Sequence, residues 1–139
     1  MVFGKLREYR VVPVVAVDSV DDGLKLCEAL LAGGLPVAEI TFRTAAAEAV
    51  IRAASQQFPD MILGAGTVLT SDQAQRAADA GAKFAVAPGF NPVVVAAARR
   101  AGLPFAPGVC TPPTSKPLSP LAALCLNFSR PRRLAASPC

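Results

Sequence analysis

The amino-acid sequence predicts a parallel α/β fold of the (β/α) barrel type, on three observations. Five short apolar runs alternate with amphipathic stretches at a period of about 20–25 residues, the spacing of strands joined by crossover helices. The runs are apolar at almost every position, as strands buried on both faces are. In one of them, Val37-Ala38-Glu39-Ile40-Thr41-Phe42-Arg43, a period of two puts Glu39, Thr41 and Arg43 on one face and Ala38, Ile40 and Phe42 on the other. A doubly wound sheet satisfies the first two observations. The third decides for a barrel, because an acid, a hydroxyl and a guanidinium on one face suit an interior that opens into a site at the C-terminal ends of the strands.

Each element has its own signal. The first run is Val11 to Val17. Ser19 then reads as an N-cap with Asp22 in a capping-box arrangement, and Val20, Leu24, Cys27 and Leu31 recur at helical spacing until Gly33 and Gly34. The second run, Val37 to Phe42, lies between Pro36 and Arg43, and the Ala- and Glu-rich stretch from Thr44 to Phe58 reads as helix. A third strand is expected over residues 61–65, leading into Gly64-Ala65-Gly66-Thr67. Thr70 and Gln73 cap a helix that runs to about Ala80, before Gly81. The fourth run, Phe84 to Ala87, ends at Pro88-Gly89. Asn91 caps the next helix, and Pro92 takes its first position, where a missing N–H costs nothing. That helix ends near Gly102, and Phe105 to Val109 is the fifth run. The strands are expected to be parallel and neighbouring in chain order.

Composition bounds the function. Of 139 residues, 53% are hydrophobic and 17% charged, too apolar for a disordered chain. No apolar run approaches the ~18–20 residues of a membrane span, and MVFGKLREYR carries charges where a signal peptide needs an apolar core, so a cytoplasmic protein without a membrane partner is expected. The absence of His removes Ser-His-Asp and Cys-His catalysis and most zinc sites. Cys27, Cys110, Cys125 and Cys139 show no C-x-x-C spacing. The net charge of +4 comes from one segment: up to Cys110 the chain has ten cations and ten anions, whereas Lys116, Arg130, Arg132 and Arg133 sit in a tail with no acid and six of the thirteen prolines. The composition therefore breaks near residue 112. Arg130-Pro131-Arg132-Arg133 is one short basic cluster without interleaved aromatics, so nucleic-acid binding is not expected.

Three residues could carry chemistry. Glu39, an acid inside an apolar run, is either a general acid/base adjusted by burial or the partner of a structural ion pair. Arg43 at the strand's end either grips a carboxylate with its planar fork or pairs with Glu39. Thr67, after two glycines, either offers backbone N–H groups and a hydroxyl to an anionic oxygen or forms an ordinary turn. Gly89, Phe90, Gly108 and Cys110 also fall at C-terminal strand ends, on one rim.

Five segments appear in order and at matching separations: Val12-Pro13-Val14-Val15, Ala38-Glu39-Ile40-Thr41-Phe42-Arg43-Thr44, Gly64-Ala65-Gly66-Thr67-Val68-Leu69, Phe84-Ala85-Val86-Ala87-Pro88-Gly89-Phe90 and Pro107-Gly108-Val109-Cys110-Thr111-Pro112. Together they closely resemble the 2-keto-3-deoxy-6-phosphogluconate (KDPG) aldolase family, which includes the 4-hydroxy-2-oxoglutarate (KHG) aldolases, over residues 5–112. The resemblance implies a (β/α)8 TIM barrel, of which the chain supplies about five strands of eight. It implies a class I aldolase in which a lysine forms a Schiff base with the substrate ketone, with no metal or other cofactor. The substrate would be KDPG, cleaved to pyruvate and glyceraldehyde 3-phosphate as in the Entner-Doudoroff pathway, or KHG, cleaved to pyruvate and glyoxylate. On this resemblance Glu39 shuttles protons, and Arg43 and Thr67 bind the carboxylate of the pyruvoyl half. A bacterial cytoplasmic homotrimer is also implied.

The resemblance stops after residue 112. The family's lysine lies in a motif K-[LF]-F-P-A-E, which is absent; Asn127 stands where that lysine is expected, and the lysines present are Lys5, Lys25, Lys83 and Lys116. Read one base out of frame, Asn127 to Arg132 can decode to K-L-F-P-A-E, and Pro113 to Leu118 to D-I-E-A-A. The expectation is thus an aldolase barrel segment over residues 1–112, followed over 113–139 by an aberrant, disordered, out-of-frame Pro/Arg-rich tail. Such a polypeptide lacks the nucleophile and is expected to be inactive. The competing expectation is a non-catalytic truncated fragment with no activity of its own.

Overall fold

The computed structural model describes residues 2–108. The expected boundary at residue 112, the tail with Lys116 and Asn127, and Cys110 lie outside the described residues. The elements run α1 (Val2–Tyr9), β1 (Val14–Val15), α2 (Val20–Ala32), β2 (Val37–Thr41), α3 (Ala47–Gln57), β3 (Ile62–Gly66), α4 (Ser71–Asp79), β4 (Phe84–Ala87), α5 (Pro92–Arg100) and β5 (Phe105–Pro107). The strands form one sheet in the order β1-β2-β3-β4-β5, and every pair is parallel. This is the strand order that the sequence predicts: five strands of a barrel wall joined by four crossover helices, α2 to α5.

The helix starts follow from their caps. Ser19 accepts from the Asp22 amide at 3.1 Å, Thr70 and Gln73 complete a reciprocal capping box, and Asn91 accepts from the Val93 amide ahead of Pro92. Gly34, at φ 77°, turns the chain out of α2.

The other strands lie within a residue or two of expectation over the described residues, and three departures are larger. β1 is two residues long rather than the expected 11–17, because only Val14 and Val15 come into register with β2, opposite Glu39 and Ile40. α3 begins at Ala47 rather than Thr44, because the Thr44 hydroxyl donates instead to the Val17 carbonyl at 2.7 Å, tying the turn after β2 to the turn after β1. The N-terminal segment is a helix, α1, which the sequence does not announce.

The sheet has two unlike faces. Ala38 and Ile40 of β2, Leu63 and Ala65 of β3 and Ala85 of β4 pack with Val50, Ile51, Ala54, Ala74, Ala77 and Ala98 of the helices in the main core. Opposite, Val37 and Phe84 pack with Leu6 of α1, supported by Phe3, Val12, Ile62 and Val86. The rings of Phe3 and Phe84 meet edge to face at 6.1 Å. α1 thus closes the N-terminal end of the concave face and leaves the C-terminal end open. Among the described residues no helix is long and apolar enough to cross a membrane.

Candidate active site

β2 supplies the acid. Its inner face reads Val37, Glu39, Thr41, and its outer face belongs to the main core, so pleat and packing together commit Glu39 to the concave side. Glu39 is 4% exposed. In register it sits opposite Gly64, with Thr41 opposite Gly66. The Glu39 carboxylate leans across to β3 and occupies the space that a Cβ on Gly66 would fill, while the Phe84 ring occupies the corresponding space over Gly64. The two glycines therefore admit a ring at the closed end and a carboxylate nearer the mouth.

Burial pushes the Glu39 carboxyl above the ordinary carboxylate range, and the charge of Arg43 offsets part of that shift. Its Oε2 has no hydrogen-bond partner among the described residues. The ion pairs of the described residues lie on the helical surface instead, between Lys25 and Asp21 and around Glu48, Arg52, Arg76 and Asp72. Among the described residues Glu39 forms no ion pair. An unpaired buried carboxylate costs several kcal/mol, on the order of the penalty for a desolvated ion, and such cost is commonly retained where the group has a proton to move.

Arg43 follows β2 in an exposed turn, and Thr67 follows β3, half-buried. The Phe42 amide donates to the Gly66 carbonyl at 2.8 Å, so the two strand ends are stitched together immediately before these residues. Thr67 has φ 57°, a left-handed conformation that a β-branched residue rarely adopts. The structure thus places Arg43 and Thr67 just beyond the C-terminal ends of the paired strands β2 and β3, the end toward which the Glu39 carboxylate leans. It adds two residues to which the sequence assigned no chemistry: Gly66, which makes room for the carboxylate, and Thr41, whose buried Oγ1 also lacks a partner among the described residues. The period-two pattern already places Thr41 beside Glu39; the space over Gly66 becomes evident only once β2 and β3 are in register.

Chemically, this end offers a buried carboxyl, a guanidinium that joins no ion pair among the described residues, and a left-handed turn with a hydroxyl. Among the described residues no group of three or more His, Cys, Asp or Glu converges to hold a metal ion. A groove on the helical surface, lined by Val20, Ala45, Ala49 and Ala53 with Glu48 and Arg52, lies across the main core from Glu39 and contains none of these groups.

Comparison with known proteins gives the family and supports the fold. A family model described as KDPG and KHG aldolase matches residues 2–116. The 2-dehydro-3-deoxy-phosphogluconate aldolase of Treponema pallidum (strain Nichols) is 48% identical over 110 residues, which is 79% of this chain and 52% of that protein. The crystal structure of the KDPG aldolase of Legionella pneumophila, with pyruvate captured as a covalent carbinolamine, superposes with a TM-score of 0.68 at 39% identity, covering 72% of this chain and 48% of that one. The KDPG aldolase of Zymomonas mobilis ZM4 with 3-phosphoglycerate superposes with a TM-score of 0.66 at 35% identity, covering 73% and 48%. The chain spans about half the length of the curated relatives it matches.

Proposed function

The chain belongs to the KDPG and KHG aldolase family, and from that premise we propose that it carries the proton-transfer and carboxylate-binding half of a class I aldolase site. The observation that carries the reading is Glu39: a buried, unpartnered carboxyl on the concave face, at the end where Arg43 and Thr67 stand.

In the proposed reaction a lysine amine adds to the C2 ketone of KDPG or KHG. The resulting carbinolamine loses water to give an imine, and the bond between C3 and C4 breaks toward that electron sink. The aldehyde leaves as glyceraldehyde 3-phosphate or glyoxylate. Protonation of the enamine and hydrolysis of the imine then return pyruvate. Glu39 moves the protons, since dehydration, cleavage and enamine protonation each need one transferred near the same carbon. The raised proton affinity that burial gives its carboxyl suits that work. Arg43 grips the C1 carboxylate, and Thr67 supports it from the left-handed turn. No metal or other cofactor takes part. The assembled enzyme is a cytoplasmic homotrimer.

The amine is not among the described residues at this mouth. Lys5 lies on α1, Lys25 is paired with Asp21 on the surface of α2 at 2.6 Å, and Lys83 stands just before β4, at the opposite end of the sheet. With Asn127 at the position of the family's lysine, this polypeptide is non-catalytic, with an aldolase segment over residues 1–112 and an out-of-frame tail over 113–139. Borohydride treatment with pyruvate, followed by intact-mass measurement, tests this. The expected result is no stable adduct on this chain, and one on the protein made from a gene with the frame restored near codon 113. An adduct on Lys5, Lys25, Lys83 or Lys116 would overturn the claim of inactivity; no adduct on the restored protein would overturn the aldolase reading.

A further inference from the structure

Two side-chain atoms of the described residues are fully buried and unpartnered, Oε2 of Glu39 and Oγ1 of Thr41. They belong to the same face of β2, two positions and about 6.6 Å apart along the strand. The Glu39 side chain does not stay at its own level. Its carboxylate lies over Gly66, and Gly66 is the register partner of Thr41. The acid has therefore climbed to the level of the hydroxyl, with only a bare glycine backbone across the strand pair. The flanking inner-face residues at these positions, Val14 of β1 and Gly64 and Gly66 of β3, have no side-chain donor or acceptor. Arg43, in the turn beyond Thr41, is the one charged group that acts on the carboxyl among the described residues. Leaving a buried hydroxyl and a buried carboxylate both unsatisfied costs each its desolvation penalty, and one hydrogen bond between them relieves both.

We propose that Thr41 is a positioning residue for Glu39: its hydroxyl donates to Oε2 of the ionised carboxylate through a side-chain rotation at that level, and it releases the carboxyl when Glu39 takes a proton. The contact would fix which carboxyl oxygen faces the open mouth. This rests on the reading of Glu39 as the proton carrier, and it adds a residue acting through Glu39 rather than on the substrate.

Carbon-13 NMR titration of the Glu39 side-chain carboxyl in the full-length chain tests it. Thr41→Val keeps the β-branched shape and removes the donor; Thr41→Ser keeps the donor. The expected result is a titration midpoint about one pH unit higher in Thr41→Val, the size of one lost charge-assisted hydrogen bond, and a midpoint near that of the unsubstituted chain in Thr41→Ser. An unchanged midpoint in Thr41→Val would overturn the proposal. A second measurement needs no variant: in the unsubstituted chain the Thr41 Cβ resonance should shift with the Glu39 midpoint, and a Cβ resonance that ignores it would also overturn the contact. Neither measurement depends on a lysine, so failure here leaves the aldolase reading standing, and failed imine trapping by the frame-restored protein leaves the contact standing.

Discussion

The Glu39 carboxylate fills the space that a side chain at Gly66 would need. The two residues come from different strands, and the relationship exists because β2 and β3 are in a register that sets Thr41, not Glu39, opposite Gly66. A long side chain starting one level lower can then fold over the glycine. Two residues earlier in β3, Gly64 leaves room for the Phe84 ring, which comes from its own register partner on β4. One strand thus supplies two vacancies, one filled by an apolar ring against α1 and one by an acid facing the mouth.

Gly66→Ala should displace that carboxylate. The added methyl meets the flexible end of a side chain rather than backbone, so the chain should still fold, at a cost of about 1–3 kcal/mol, the usual range for overpacking a well-packed site. Urea denaturation gives the loss in stability, and titration of Glu39 gives the displacement. A variant as stable as the parent, with an unmoved Glu39 midpoint, would contradict the close approach.

Glu39→Gln should raise stability at neutral pH. Burial lifts the proton affinity of Glu39 in the folded state, so between the ordinary carboxylate value and the lifted one the folded chain holds more protons than the unfolded chain. By linkage, stability then falls as pH rises through that interval. Glutamine carries no charge at any pH and escapes the loss. The variant should melt on the order of a few degrees higher at pH 7, with the gap closing as pH falls below the ordinary carboxylate value. A variant less stable than the parent at pH 7 would mean that contacts to the ionised carboxylate outweigh its desolvation in the fold.

Strand order, helix caps and the inner-facing residues are legible in the sequence because each rests on local signals. Ser19, Thr70 and Asn91 bond to amides two or three residues away, and the alternation around Glu39 is confined to one strand. What is not legible depends on distant partners. α1 buries only Leu6 fully, and its docking surface, Val37 and Phe84, lies far along the chain. The start of α3 is set by the bond of Thr44 to Val17, 27 residues away. Gly66 reads as a turn residue until the register of β2 and β3 reveals what occupies its empty side.

Phe3→Ala should loosen α1 from the sheet. The edge-to-face contact with Phe84 and the apolar area around it are worth about 1–2 kcal/mol at a half-buried site. Hydrogen exchange should quicken over residues 2–9, with β3 and α4 little affected. Uniformly faster exchange across the sheet would instead make α1 part of the same cooperative unit as the main core.

In the protein made with the reading frame restored, Glu39→Gln should lower the cleavage of KDPG by about 10²–10⁴-fold, the usual range for losing a general acid/base. The amide preserves the shape over Gly66 and cannot titrate, so binding through Arg43 should survive and the loss should fall mainly on kcat. Carbinolamine dehydration needs a proton as well, so imine trapping with pyruvate should slow in the same variant. Arg43→Ala should behave differently. It removes the group proposed to hold the carboxylate, so KM should rise more than kcat falls. Pyruvate release from KDPG measures both variants. If Glu39→Gln cleaves within a few-fold of the restored enzyme, Glu39 moves no proton, and its burial without a partner needs another explanation.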